Sequence, residues 1–118
     1  MKLSEISTDK AIDVLCDITP SVNNIVTDEN LLEQLKNKVK IAGDESKAEV
    51  IAIGVEKINK IVPIVLKSHR EDVLYILSAI NGIGVDEIKK QNVIKTMKMI
   101  KELIQDKEFV DFFKSCAE

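Results

Sequence analysis

Apolar side chains recur along most of this chain with the spacing of an α-helix. After Ser7 and Thr8, either of which can cap a helix, apolar positions alternate at intervals of four and three residues. This stripe predicts a first helix over 8–26, with Ala11, Leu15, Ile18, Val22 and Ile25 on one side. Pro20 lies within the stripe, and because proline removes a backbone donor we expect a break there, with Thr19 capping the second part.

The next two predicted helices cover 28–42 and 45–67. Thr27 and Asp28 precede the first of them, and Gly43 follows it as a terminator. The second carries the longest apolar stripe in the chain, which favours a central core helix: Ala48, Ile51, Val55, Ile58, Val62 and Val65. Ile53 and Ile64 lie on its opposite side, so this helix has a second apolar face that a neighbouring helix or a partner protein can cover.

Three further helices are predicted over 69–81, 85–105 and 107–116. Ser68 and Glu71 have the spacing of a capping box at the start of the first of these, and Asn81 and Gly82 end it. The long second one has Val93, Met97, Ile100 and Ile104 on one ridge with Leu103 beside it, and Met99 lies off the ridge on the Leu103 side. Asp106 can cap the last helix.

No alternation typical of a half-buried strand continues for more than a few residues. Hydrophobic residues make up 45% of the chain, and only two prolines and four glycines interrupt it. Because only 3% of the residues are aromatic, the core must be aliphatic. We therefore predict an all-α fold, a compact single domain over 1–118 with five to six helices.

Charge and cysteine content limit the classes of function. A net charge of −3 is unlike proteins that bind nucleic acid mainly through phosphates, so we do not expect nucleic acid as a partner. Cys16, which we expect to be buried, and Cys116 are isolated thiols, and no signal peptide is evident, which favours the cytoplasm. Charged residues within the longest apolar stretch, 48–66, argue against a membrane span.

The sequence offers no group of residues suited to catalysis. Its single histidine, His69, lies in a polar helix start with no second histidine or cysteine nearby, and we expect it to be a surface residue. We therefore predict that the protein is not an enzyme and binds no metal or other cofactor.

Two features allow a nucleic-acid interpretation. Residues 80–88 resemble the helix-hairpin-helix turn of proteins that grip DNA phosphates, although Asp86 and Glu87 would repel an anion there. The lysines of the fifth predicted helix are better explained as a solvated face. A small DNA-binding regulator is thus an alternative function, as is a generic helical dimerisation adaptor.

All three phenylalanines fall at helical spacing in the last predicted helix. Phe109, Phe112 and Phe113 therefore share one side of it. They either close the core, the interpretation we favour, or form an exposed anchor for another chain. The candidate protein-binding residues are these three together with Ile53, Ile64 and Met99.

Three stretches of the chain together resemble the tail assembly chaperones of long-tailed phages and prophages of Gram-positive bacteria. They are Leu3-Ser4-Glu5-Ile6-Ser7 through Pro20, Asn81-Gly82-Ile83-Gly84-Val85-Asp86-Glu87-Ile88-Lys89-Lys90-Gln91-Asn92, and Ile100-Lys101-Glu102-Leu103 through Phe112-Phe113. The resemblance implies a helical, non-enzymatic factor in the cytoplasm of the bacterial host, absent from the finished virion. It would bind the tape-measure protein and support polymerisation of the tail-tube protein. The family often has a short and a frameshifted long form, of which this chain resembles the short one.

Overall fold

A computed structural model describes residues 3–39 and 58–117 of the chain. Within these residues it contains a short 3-10 turn, Leu3–Glu5, and six α-helices. The helices are α1 (Thr8–Val26), α2 (Glu29–Val39), α3 (Ile58–Asn81), α4 (Val85–Lys90), α5 (Val93–Gln105) and α6 (Lys107–Ala117). No strand occurs in the described residues, so the all-α single domain predicted from the sequence is confirmed. The predicted Gly43 terminator, Ile53, and the stripe members Ala48, Ile51 and Val55 lie outside these residues.

The first helix keeps the predicted bounds but not the predicted break. Ser7 caps it, because its Oγ accepts from the backbone N–H of Lys10 at 3.3 Å. The helix then continues through Pro20 to Val26 without interruption. Thr19 does not cap a second segment: its Oγ1 donates to the carbonyl of Leu15, one turn back. Pro20 is exposed, so its ring displaces no core side chain, and within the helix it leaves the carbonyl of Cys16 without its usual backbone donor.

The third helix, α3, is bent at His69. The sequence predicted separate helices ending at 67 and starting at 69, and the structure joins them through one residue with non-helical backbone, His69 at φ −134° and ψ 40°. The bent helix packs against α1, α2, α4 and α5. It is therefore the element around which the others assemble.

The core lies mainly between α1 and α3 and is aliphatic, as predicted. Ile18 and Val22 from α1 and Leu77 from α3 have no exposed surface, and Leu31 and Ile80 are only 1% exposed. Ile88 anchors the short α4 against the same core. Cys16, expected inside, is instead exposed, because it lies on the side of α1 away from this stripe.

The single long helix predicted over 85–105 is wrong. The structure has two helices there, α4 and α5, separated at Gln91 and Asn92. Asn92 caps α5, because its side-chain oxygen accepts from the N–H of Ile94 at 2.7 Å. Gln91 supports the junction by donating from Nε2 to Thr96 Oγ1 at 2.8 Å and to Met99 Sδ at 3.1 Å.

Contacts remote in sequence join the start of the described chain to its end. Leu3 is buried, and the N–H of Ser4 donates to Asp106 Oδ2 at 3.2 Å. The other oxygen, Asp106 Oδ1, accepts from Glu108 N at 3.1 Å and caps α6 as predicted. One buried carboxylate thus caps a helix and holds the 3-10 turn in place.

The end of α3 requires a left-handed residue, which gives a test of the fold. Gly82 has φ +68°, and the N–H groups of Gly82 and Ile83 both donate to the Ser78 carbonyl, at 2.9 and 3.3 Å. We predict that Gly82→Ala lowers the free energy of unfolding by about 1–2 kcal/mol, because a Cβ is unfavourable at this φ although no atom would clash with it.

The matched control is Gly84→Ser. Gly84 caps α4 at φ −70°, which any residue adopts, and serine is a better cap, so we expect a change within about 0.5 kcal/mol. Urea denaturation of both variants measures the difference. Equal losses would show that the left-handed conformation is not what glycine supplies.

Candidate protein-binding surface

The first two turns of α5 expose aliphatic side chains to solvent. Val93 is 70% exposed, Ile94 64% and Met97 38%. Val93 and Met97 were predicted to share a ridge with Ile100 and Ile104, and of these four only Ile100 is buried, with Ile104 half-buried. All four lie within α5 and share one side of it, but the core covers only the later turns of the helix, where Ile100 and Leu103 are buried.

A groove of about 280 Å³ lies between this face of α5 and α3. Its apolar wall is formed by Ile94 and Met97 from α5 and by Val62 and Pro63 from α3. Lys98 and Lys101 also line it, one and two turns beyond Ile94. The groove is therefore apolar at one end of α5 and bordered by cations toward the other.

The lysines of α5 have no acidic partner in the described part of the chain. Lys95, Lys98 and Lys101 are exposed and form no ion pair with another described residue, whereas Lys89 pairs with Glu71 and Lys114 with Asp111. Because cations on one helix face repel one another, an anionic partner would gain both attraction and relief of repulsion here.

The residues proposed from sequence as a protein-binding set do not form one surface. Ile53 lies outside the described residues. Ile64 is half-buried against the core, and Met99 is half-buried against Gln91. Ile64 and Met99 therefore serve packing in this fold rather than standing free on the surface.

The phenylalanines lie on the core side of α6. Phe109 is buried, Phe113 is half-buried, and their rings pack at a centroid distance of 5.8 Å with 50° between the planes. Phe112 is also half-buried and packs against the core. Of the two interpretations of this patch, closure of the core fits these positions.

The exposed α5 face was missed by the sequence reasoning, although one signal pointed to it. Asn92 is a favoured capping residue directly before an apolar pair, Val93 and Ile94. The apolar spacing continues across Gln91 and Asn92, and this periodicity led to the prediction of one uninterrupted helix over 85–105. A helix start at 93 would have placed Val93 and Ile94 in a first turn, where side chains are commonly exposed.

An apolar cavity of about 120 Å³ lies inside the helical layers. Its walls include Leu31 from α2, Val62 and Ile76 from α3, and Leu103 and Phe109 from the last two helices. Every described residue that lines it is apolar, so a trapped water would find no hydrogen-bond partner there. The described residues that line it offer no polar group to orient a ligand.

His69, expected on the surface, instead bridges two carboxylates. Its Nε2 lies 2.7 Å from Asp28 Oδ2, and its Nδ1 lies 2.9 Å from Asp72 Oδ2. Both partners only accept hydrogen bonds when ionised, so the ring can donate to both of them at once only as an imidazolium, with a proton on each nitrogen. The side chain is 12% exposed. Asp28 caps α2 by accepting from Leu31 N at 3.0 Å, so this bridge joins the start of α2 to the bend of α3.

The bridge shifts the pKa values of its members. Burial alone lowers the pKa of His69, but hydrogen bonds and charge from Asp72 and Asp28 outweigh it, and the pKa lies above its ordinary 6.5. The backbone N–H of Leu31 and then the His69 ring hold the pKa of Asp28 below 3.8. Burial raises the pKa of Asp72, and bonds from His69, Asn24 and Ser21 outweigh that effect and lower it.

This cluster contains Ser21, His69 and two aspartates, the residue types of a Ser-His-Asp triad, but its hydrogen bonds are not those that activate a serine nucleophile. The Ser21 hydroxyl bonds to Asp72, and the histidine nitrogens are both occupied by carboxylates. A histidine that is to accept a proton from serine must present it an unprotonated nitrogen. The arrangement is a structural clamp between α1, α2 and α3.

The glycine-containing turn between α3 and α4 lacks the features of a phosphate site. The helix that follows it has six residues, and Asp86 and Glu87 occupy its first turn. Gly82 serves the C-terminal end of α3 through the bonds to Ser78. No observation here favours the DNA-binding alternative.

Residues 3–39 and 58–117 contain neither a membrane-spanning helix nor a cluster of metal ligands. None of the helices described is at once long and apolar enough to cross a bilayer. No group of three or more histidine, cysteine or acidic side chains is arranged to hold a metal ion in these ranges. No family model, curated protein or solved structure matches the chain.

The burial of the phenylalanines predicts unequal costs of removing them. We expect Phe109→Ala to lower the free energy of unfolding by about 3–5 kcal/mol, because it empties a buried site beside the existing cavity. Phe112→Ala should cost distinctly less, since its side chain already contacts solvent. Urea unfolding of both variants decides this, and equal losses would contradict the described packing.

The histidine clamp predicts a specific dependence of stability on pH. Because the pKa of His69 is raised in the folded state, its bonds stabilise the fold fully below the unfolded value of 6.5. This stabilisation is lost as pH rises through the folded pKa. Because the pKa values of Asp28 and Asp72 are lowered, their carboxylates stabilise the fold above pH 3.8. This stabilisation is lost as pH falls through the folded pKa values. Stability from this cluster should therefore be greatest between 3.8 and 6.5.

The measurement is the urea midpoint across this range and up to about pH 9, beyond the usual titration of histidine. His69→Gln removes the chain's single histidine and should abolish most of the decline above pH 6.5. Persistence of the same decline in the variant would mean that another group causes it.

Proposed function

We propose that this protein is a tail assembly chaperone of a long-tailed phage or prophage of Gram-positive bacteria. It binds the tape-measure protein in the host cytoplasm, keeps it soluble, supports polymerisation of the tail-tube protein around it, and is left out of the mature virion. The observation that carries the proposal is the ordered resemblance of three stretches of the chain to that family. An all-α single domain is the fold that the resemblance implies.

The three resembling stretches contain residues that cap helices or connect one helix to the next. The first supplies Leu3 and Ser4, and the third supplies Asp106, which accepts the Ser4 N–H. The second contains the end of α3, the whole of α4 and the Asn92 cap of α5. Residues at such joints determine how the helices are connected, so a resemblance there supports a shared architecture more strongly than scattered apolar positions would.

The exposed α5 face gives the proposal a physical mechanism. A tape-measure protein is long, helical and apolar before the tail forms, so its stripes associate with one another unless they are covered. Ile94, Met97 and Pro63 offer an apolar surface to such a stripe, and the exposed lysines around them keep the carrier hydrated.

The proposal predicts a gene for a long tape-measure protein beside the gene of this chain, and it is tested by co-expression of the two proteins. We expect the tape-measure protein to stay in the supernatant after high-speed centrifugation, and to co-purify with this chain, only when both are produced. Ile94→Ser combined with Met97→Ser should reduce capture by about tenfold or more, because interface residues of this kind carry much of the binding energy.

Ile12→Ser is the matched control. Ile12 is an exposed aliphatic residue on α1, 53% exposed, so it reports the loss of surface hydrophobicity alone. A tape-measure protein that is equally soluble with and without the partner would refute the chaperone function.

Sedimentation of the purified chain distinguishes a dimerisation adaptor, which would self-associate and capture nothing.

A further inference from the structure

We propose that the groove between α3 and α5 binds an amphipathic helix of a partner protein whose apolar stripe is flanked by acidic residues. The inference rests on the proposed function only in taking the tape-measure protein as the source of that helix. The chemistry of the groove itself comes from Val62 and Pro63 on α3 and from Ile94, Met97 and Lys101 on α5.

The dimensions of the groove suit about two turns of a helix. From Ile94 to Lys101 the helix rises by roughly 10 Å. Ile94 and Met97 lie three positions apart and Lys98 and Lys101 three apart, so this side of α5 presents successive ridges. A second helix can lay apolar side chains spaced by three and four residues against them.

The charge around the groove selects an acidic partner. On the α5 side, Lys95, Lys98 and Lys101 are exposed and have no ion-pair partner among the described residues, and Glu102 is the single acidic residue of α5. On the α3 side, Lys60 is exposed three positions before Pro63, and no acidic residue occurs between Ile58 and Lys67. This local excess of cations stands on a chain whose net charge is −3.

A protein helix fits the groove better than a nucleic acid does. Single-stranded nucleic acids bind through aromatic side chains that stack on bases, and the groove has aliphatic residues and a proline instead. Phosphate binding also makes no use of exposed side chains such as Ile94 and Met97. An amphipathic helix uses both features at once, placing apolar residues on the aliphatic end and carboxylates beside the lysines.

The test uses two synthetic peptides of roughly 18 residues, about five helical turns. Both carry leucine at i, i+3, i+4 and i+7, and they differ only in flanking residues, which are glutamate in one and lysine in the other. Fluorescence anisotropy with the full chain should show binding of the acidic peptide, weakening as salt is added, and at least about tenfold weaker binding of the basic one.

Charge reversal of the groove provides the decisive variant. The double variant Lys98→Glu, Lys101→Glu should bind the acidic peptide at least about tenfold more weakly than the wild type does. It should bind the basic peptide more tightly than the wild type does. The control is Lys10→Glu with Lys107→Glu, which changes the net charge equally at two exposed positions in first helical turns, where acid is tolerated. Circular dichroism and thermal melting establish that both variants fold.

Several outcomes would overturn the inference. Equal binding of the two peptides, or equal damage by the control pair, would show that the lysines of the groove select nothing. Binding of duplex DNA that is lost in the groove variant alone would assign the surface to phosphates. If wild type captures the tape-measure protein but neither peptide, the inference fails while the proposed function stands, whereas peptide binding without capture refutes the proposed function alone.

Discussion

The bend of α3 at His69 is the constraint on which the rest of the structure depends. The bent helix packs against both α1 and α2. The single non-helical residue allows the change of direction, and the imidazolium between Asp28 and Asp72 fixes it. A non-helical residue inside a helix costs free energy, and here two charge-assisted hydrogen bonds in a partly dry site offset that cost. The cavity and the α5 groove both lie beside the first part of the bent helix.

Much of the fold could be predicted from the chain, because local periodicity determines it. The stripe of Ile18, Val22 and Ile25 is buried as predicted, and Ser7 and Asp106 cap helices at the predicted places. These features depend on neighbours within one or two turns. Spacing and capping preference are therefore sufficient to find them.

The candidate site could not be predicted in the same way. The partner of His69 is 41 positions away, so no local pattern indicates that this ring lies between two carboxylates. The break before α5 contains no glycine or proline, and its apolar spacing runs on across Gln91 and Asn92. Val93 and Met97 share one side of α5 with Ile100, and only the packing of the whole fold leaves the first two exposed while it buries the third. The surface most suited to a partner therefore appears only once the tertiary structure is known.

The bond between the Ser4 amide and the Asp106 carboxylate has a consequence for how the protein is made. Its two ends are separated by 102 positions, so closing it requires nearly the whole chain to be present. During synthesis, α1 can form as soon as it emerges, but the buried site of Leu3 remains open until α6 arrives. The contacts of Leu3 and Ser4 with the α6 cap therefore join residues far apart in sequence, and the loop-closure entropy of so long a separation opposes their early formation. Until they form, the apolar sides of α1 and α3 are covered by only part of their final partners.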